Sequence, residues 1–272
     1  MIGTSATATL DLDAYFNRIG YSGPLEPTRR VLEELHLAHA THIPFENLDI
    51  LLGRPIRLDL PSLQAKLVKA RRGGYCFEQN LLFSAVLESL GFTLTRLAAR
   101  VRYRTDRLLP RTHMALLVHL DGTHWLADVG FGAEGLLLPL PFRAGEETRQ
   151  FAWTYRIVDK AGQWLLQSLR DEAWVDLYGF SLEPQLVVDY EVANYYVSTH
   201  PSSRFVQTLT AQQVAPDARH ALVNREYTVD RGESVTSQTI ADDDELLGIL
   251  AESFGLRFPP GTRFKLGAAA SY

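Results

Sequence analysis

The sequence holds a single cysteine, Cys76, in 272 residues. That excludes any intrachain disulfide and any zinc site built from several cysteines. No apolar run approaches the roughly eighteen residues of a membrane span. The opening Met1-Ile2-Gly3-Thr4-Ser5-Ala6-Thr7 carries neither a basic stretch nor an apolar one, so no export signal is visible. A basic surplus is missing too. The 27 Lys plus Arg against 32 Asp plus Glu leave a net charge of −5, which argues against nucleic acid as a partner. There is no internal repeat and no low-complexity tract. What is present is a globular balance, 46% hydrophobic and 22% charged, at a length that suggests two domains or three small ones. The expectation is a soluble cytoplasmic protein without membrane contact, and its one thiol is the residue to question.

The first ninety or so residues read as helices. Asp11 caps one that carries Tyr15, Phe16 and Ile19 and stops at Gly20. Thr28 opens a second, with Val31, Leu32 and Leu35 on one stripe, and Pro44 ends that region. A third runs from about Pro61 through Leu63, Leu67 and Val68 until Gly73-Gly74 breaks it. The fourth follows at once, with Phe77, Leu81, Leu82, Ala85, Val86 and Leu90 at helical spacing up to Gly91. Cys76 therefore sits in the first turn of a helix, directly after a glycine pair.

From Thr93 the texture is that of strands. The runs His113–Leu120 and Thr123–Val129 flank Asp121-Gly122, the dipeptide that supplies the two positive φ angles of a type I′ hairpin. A second hairpin is expected around Lys160-Ala161-Gly162. Beyond Val192 the chain reads as looser, with Ser198–Ser203 as a linker, strands near Ala221–Val223 and Tyr227–Val229, and a helix from Asp244 to Phe254 stopped by Gly255. Trp153 and Tyr195-Tyr196 read as core aromatics.

A helix start favours a thiolate, because unpaired N–H groups and the positive dipole end face it. Arg71 and Arg72 add charge, and the two glycines admit close backbone approach. A thiolate nucleophile needs an imidazole, and the imidazole needs an orienting group. The hairpin register supplies both. With a two-residue turn, Leu120 faces Thr123, Val118 faces Trp125, Ala115 faces Asp128 and His113 faces Gly130. His113 and Asp128 then share a face as diagonal neighbours, roughly 7–8 Å apart by backbone and within side-chain reach. Gly130 leaves room for another segment. Asp128 among Leu126, Ala127 and Val129 is expensive to bury without a partner.

These residues resemble a known family. Arg72-Gly73-Gly74-Tyr75-Cys76-Phe77-Glu78-Gln79-Asn80 is similar to the nucleophile motif of the bacterial-type arylamine N-acetyltransferases, and His42-Ile43-Pro44-Phe45-Glu46-Asn47-Leu48 to their upstream motif. Thr112-His113 and Asp128-Val129-Gly130-Phe131-Gly132 match the histidine and aspartate segments in the same order. The resemblance extends from about Leu10 to Ser203. It implies an α+β fold with an N-terminal helical bundle (1–91), a central β-barrel-like domain (92–192) and a C-terminal α/β lid with its connecting segment (193–272). It also implies a cysteine-protease-like Cys76-His113-Asp128 triad and ping-pong transfer from acetyl-CoA to arylamines or arylhydrazines. In that scheme Arg72 and Glu46 form a supporting ion pair, Phe131 and Phe45 line the acceptor site, and Ser202 and Ser203 are candidate CoA contacts.

Other readings compete. A thiol hydrolase would use the same triad, and a ligand-binding protein would need none of it. His36, His39 and His42, three apart, suggest a metal face, but they read as solvated or capping residues and no metal is expected. His119 and His124 face each other near the turn. Asp242–Glu245 reads as a helix start, where carboxylates meet the dipole.

Overall fold

Caps and turns set the element boundaries of the computed structural model, which describes residues 10–105 and 107–266. The opening Met1–Thr7, read above for an export signal, lies outside the described residues. Asp11 caps α1 (Leu12–Ile19) by accepting from the Ala14 N–H, and Gly20 ends it in the left-handed region at φ 67°. Thr28 caps α2 (Arg29–His42) through the Val31 N–H. A two-residue strand follows, β1 (Phe45–Glu46), then the short α3 (Leu48–Leu51). Asp59 caps α4 (Leu60–Leu63), which continues as a π-helical stretch over Gln64–Lys69 and ends before the glycine pair. The fourth helix expected from the sequence is α5 (Cys76–Ser89), which starts at Cys76 itself and is buried on nearly every side.

The middle of the chain forms β2 (Thr93–Val101), β3 (His113–Leu120), β4 (Thr123–Ala127), β5 (Leu140–Pro141), β6 (Thr148–Gln150), β7 (Trp153–Lys160), β8 (Gln163–Arg170) and β9 (Ala173–Pro184). They make one antiparallel sheet of order β5-β4-β3-β2-β9-β8-β7-β6, curled into a nearly closed barrel. Both expected hairpins are present. Asp121 and Gly122 have φ of 49° and 72°, and Ala161 and Gly162 have 55° and 81°, the pairs of positive values that a type I′ turn requires.

The β3–β4 register is the expected one from Leu120↔Thr123 to Leu116↔Ala127, where the ladder ends. The further pairs, Ala115 with Asp128 and His113 with Gly130, are not among the paired positions. The Asp128 N–H leaves the sheet and donates to His36 Nε2 at 3.1 Å. One face of this hairpin (Met114, Leu116, Val118, Trp125, Ala127) packs on the helices, and the other (Ala115, Leu117, Leu126) fills the barrel. Burial on both faces explains why the run is apolar at consecutive positions rather than alternating.

The last part differs from the looser chain expected. Residues Val187–Thr199 form a helix, α6, with the Asp189 carboxylate accepting the Leu186 N–H at its start. Residues 192 and 193, between which the sequence divides its last two segments, both lie inside α6. Of the expected linker, only the residues after Thr199 are irregular, and α7 (Arg204–Gln207) follows. Tyr195 is 72% exposed and Tyr196 is also exposed, whereas Trp153 is buried. The two tyrosines are thus not core, because α6 packs mainly through Tyr190, Asn194 and Val197. The chain ends in β10 (Thr210–Val214), β11 (Arg219–Val223), β12 (Glu226–Asp230), β13 (Val235–Thr239) and α8 (Asp243–Phe254). Asp242 caps α8 through the Asp244 and Glu245 N–H groups, as the acidic run suggested.

This C-terminal sheet has the order β1-β10-β11-β12-β13, so the Phe45–Glu46 strand from the helical part is its edge, with Phe45 opposite Gln212. Asn47 reinforces the junction, donating to the Phe205 and Thr208 carbonyls and accepting from the Thr210 N–H.

Helices and barrel come into close contact at Gly130. A Cβ there would lie 2.8 Å from both Cys76 Cα and Asn80 Nδ2, closer than packed atoms tolerate. Gly130→Ala is therefore expected to lower the unfolding free energy by about 1–3 kcal/mol, the usual penalty of overpacking against backbone. Urea denaturation measures it, and an unchanged midpoint would show that the helix can withdraw freely.

Candidate functional site

Cys76 is the first residue of α5, and the loop before it is made by close approach. A Cβ at Gly73 would fall 2.1 Å from the Pro44 carbonyl oxygen, so only glycine fits there. The Glu78 carboxylate accepts the Tyr75 N–H at 3.1 Å and closes the first turn. Gln79 Nε2 donates to the Pro44 and Gly74 carbonyls. The Cys76 side chain, 3% exposed, is delivered to the barrel rim, where its Sγ lies 3.5 Å from the Thr112 carbonyl oxygen.

There it meets His113, the first residue of β3. The imidazole Nε2 is 2.7 Å from Asp128 Oδ2, and the Cys76 side chain is near enough to add to the upward push on the ring. With Nε2 committed to the carboxylate, Nδ1 is the nitrogen left for sulfur. Asp128 is 1% exposed, and a buried carboxylate must be compensated. Its Oδ1 accepts from Asn80 Nδ2 and from the Gly130 N–H, each at 2.9 Å. Burial opposes its charge, but His113 and these donors outweigh it and hold the carboxyl below its usual range. For His113 burial pulls downward, and the Asp128 charge, with lesser help from Cys76, pushes the imidazole up to about 10. All three expected residues are brought together, and Gly130 admits the α5 backbone as expected.

Rings wall the site. Phe131 stands edge-on to His113 at 5.1 Å between centroids, and the buried Tyr178 lies 4.7 Å away on β9. Phe45 packs on Phe205, which also meets Tyr75. The expected ion pair is present, with Arg72 Nη2 at 2.8 Å from Glu46 Oε1. It belongs to a larger buried set: Arg72 also meets Asp49 at 3.1 Å, and Lys66 bridges Asp49 at 3.3 Å and Glu78 at 2.7 Å. Burial raises Glu78 to about 7 despite Lys66. Ser203 is buried, and its hydroxyl donates to the Val197 carbonyl and accepts the Phe205 N–H. Ser202 is exposed and hydrogen-bonded to His200.

His36 and His39 correct the sequence reading. Both are fully buried rather than solvated, and only His42 is exposed. His39 joins Tyr15 to Gln79, and His36 joins Leu137 to Asp128. Desolvation lowers them to about 3 and about 4, so both stay neutral. Among the described residues no group of three or more His, Cys, Asp or Glu is placed to hold a metal ion. Asn80, Lys66, Tyr178 and His36 were not foreseen as site residues. Asn80 alone had a signal, since it stands one helical turn after Cys76 on the same face.

The raised imidazole makes stability depend on pH. A group that binds its proton more tightly when folded stabilises fully below its unfolded value of 6.5, and that contribution is lost as the pH rises through about 10. The stability difference between the wild type and His113→Gln should be largest near about pH 6 and shrink steadily toward about pH 10. Denaturation across that range tests it; a difference independent of pH would mean that the imidazole is neutral when folded.

The chain is similar to known proteins over most of its length. The family model described as N-acetyltransferase matches residues 29–262. The arylamine N-acetyltransferase of Mycobacterium tuberculosis (strain ATCC 25618 / H37Rv) is 41% identical over 253 residues, covering 91% of this chain and 89% of that protein. That of Escherichia coli (strain K12) is 39% identical over 248 residues, covering 90% and 88%. The solved structure of Mycobacterium marinum arylamine N-acetyltransferase in complex with CoA is similar with a TM-score of 0.86 at 38% identity, covering 90% of this chain and 92% of that one. The match runs well past Ser203, where the motif resemblance faded. The chain belongs to the arylamine N-acetyltransferase family of acyltransferases.

Proposed function

We propose that this protein transfers acetyl groups from acetyl-CoA to the nitrogen of arylamines and arylhydrazines by a ping-pong mechanism, with the acetyl group held on Cys76. The observation that carries the reading is the buried line of Cys76, His113 and Asp128, in which a carboxylate 2.7 Å from the imidazole favours its protonated form. An imidazolium beside sulfur favours the thiolate, which is the nucleophile. The relatives' names supply the acceptor class, and the M. marinum complex supplies CoA.

The Cys76 thiolate attacks the thioester carbonyl of acetyl-CoA. The carbon–sulfur bond to CoA then breaks, and the departing sulfur takes the proton held by His113. The amine nitrogen next attacks the acetyl-cysteine carbonyl, the now neutral His113 accepts the amine proton, and the bond to Cys76 breaks. The thiolate–imidazolium pair is thereby restored. Asp128 holds the ring orientation and stabilises its charged form throughout. Thioester-to-thioester exchange is nearly balanced, and an aromatic amine is uncharged at neutral pH, so neither half-reaction faces a large thermodynamic obstacle.

Phe131, against the imidazole, is assigned to the acceptor ring, with Phe45 beside it. Ser202, exposed near the start of α7, is the better of the two serines for a CoA contact, since the Ser203 hydroxyl is engaged internally. Residues 1–91, 92–192 and 193–272 act as nucleophile carrier, barrel and lid, and the setting is the cytoplasm. A thiol hydrolase would share the triad, but the relatives are transferases.

Rapid mixing with acetyl-CoA alone should release one equivalent of CoA and then stall until an arylamine is added. His113→Ala should slow the burst by roughly 10²–10⁴, the range of a positioned acid–base group. Folded Asp128→Asn should lose most transfer. Plots varying both substrates should give parallel lines. Intersecting lines without a burst would mean direct transfer in a ternary complex, and continuous CoA release without amine would mean hydrolysis.

A further inference from the structure

His36 meets Asp128 at its main chain, whereas His113 meets its carboxylate. Its Nε2 lies 3.1 Å from the Asp128 main-chain nitrogen, and its Nδ1 lies 3.0 Å from the Leu137 carbonyl oxygen. Both partners have fixed polarity. The amide N–H can only donate, so Nε2 must accept; the carbonyl can only accept, so Nδ1 must carry the proton. The ring is fully buried, edge-on to Phe83 at 5.7 Å. A second proton would turn the acceptor into a donor aimed at another donor, and desolvation disfavours it in the same direction.

Asp128 and Leu137 are the two ends of the segment that carries Gly130, Phe131 and Gly132. One imidazole from α2 therefore pins both ends of that loop. Its middle is braced elsewhere: the Gly135 carbonyl accepts from the Tyr155 hydroxyl at 2.7 Å, and the Ala133 N–H donates to Gln212 of β10 at 2.9 Å. The β3–β4 ladder has already ended at Ala127, so the Asp128 N–H turns to His36 rather than to a strand partner.

We propose that His36 is a positioning residue for acetyl transfer, tying the Asp128 N–H and the Leu137 carbonyl so that the carboxylate meets His113 and Phe131 faces the site. This rests on the role assigned to Cys76, His113 and Asp128 above. His36 touches neither substrate nor the reacting atoms. It acts through Asp128, and misplacing a reacting group by an ångström or so costs up to about 10²-fold in rate.

Three variants separate positioning from bulk stability. His36→Phe keeps a ring and removes both polar atoms. His36→Asn places an amide near the Nδ1 position and leaves the Asp128 N–H without its acceptor. His36→Gln extends an amide oxygen to the Nε2 position and so restores an acceptor for the Asp128 N–H. Each is followed by thermal unfolding, by the pre-steady-state acetylation rate, and by the pH profile of Cys76 alkylation with iodoacetamide. His36→Phe and His36→Asn should lose roughly 10–100-fold in acetylation rate. Their alkylation should also weaken on the acid side, while His36→Gln recovers most of both. If His36→Phe fails to fold, His36→Asn carries the test. Folded variants with lower melting temperatures but wild-type acetylation rate and alkylation profile would overturn the proposal, as would failure of His36→Gln to recover either. If instead the wild type forms no acetyl adduct, the transfer reading fails, and the alkylation profiles still decide whether His36 positions the Asp128–His113 pair.

Discussion

A carboxylate buried at the junction of helices and barrel has to be compensated, and the site is built around meeting that demand for Asp128. Its Oδ2 takes the His113 imidazole, and its Oδ1 takes Asn80 and the Gly130 N–H. Its own N–H goes to His36. The partners come from β3, α5 and α2, so satisfying one charge fixes three elements relative to each other. Removing any one partner leaves the rest with an under-solvated group, the situation in which buried polar networks become costly. The same arrangement raises His113, so in the mechanism proposed above the compensation of Asp128 and the activation of Cys76 are one piece of physics.

A second buried electrostatic cluster holds the loop that leads into Cys76. Glu46, Asp49 and Glu78 meet Arg72 and Lys66, and the acids belong to three different segments. Glu78 also closes the first turn of α5, and Glu46 accepts the Leu48 N–H at 2.6 Å. Lys66 reaches this cluster from the π-helical stretch, in which the widened turn changes the direction of the side chains that follow. Such a cluster adds little net stability relative to an apolar core. What it supplies here is position, since the loop Gly73–Tyr75 has only an isolated bridge from Gly74 to Phe45 to hold Cys76.

What was legible in the sequence was local. Asp11, Thr28 and the Asp242 run cap helices with their own side chains, and Asp121-Gly122 sets a turn whose register follows from its length. From that register came the shared face of His113 and Asp128 and the open space at Gly130. The illegible parts depend on distant partners. Nothing near His36 or His39 says that barrel and nucleophile loop will bury them, because Leu137 and Gln79 are far along the chain. The Phe45–Glu46 strand was hidden for the same reason, its partner β10 lying more than a hundred residues away. For α6 the apolar pattern was the obstacle. Leu186, Val188, Val192 and Tyr195 remain exposed, so the stripe that packs is not the one hydrophobicity marks. The four motifs together made the family readable; the residues that position them became visible only in three dimensions.

The central claim is that Cys76 carries the acetyl group between two half-reactions. Intact mass spectrometry after mixing with acetyl-CoA and no acceptor, followed by peptide mapping, tests it most directly. The account predicts a single acetyl adduct on the peptide containing Cys76, persistent until an arylamine discharges it. An unmodified protein that nevertheless acetylates arylamines when both substrates are present would contradict it.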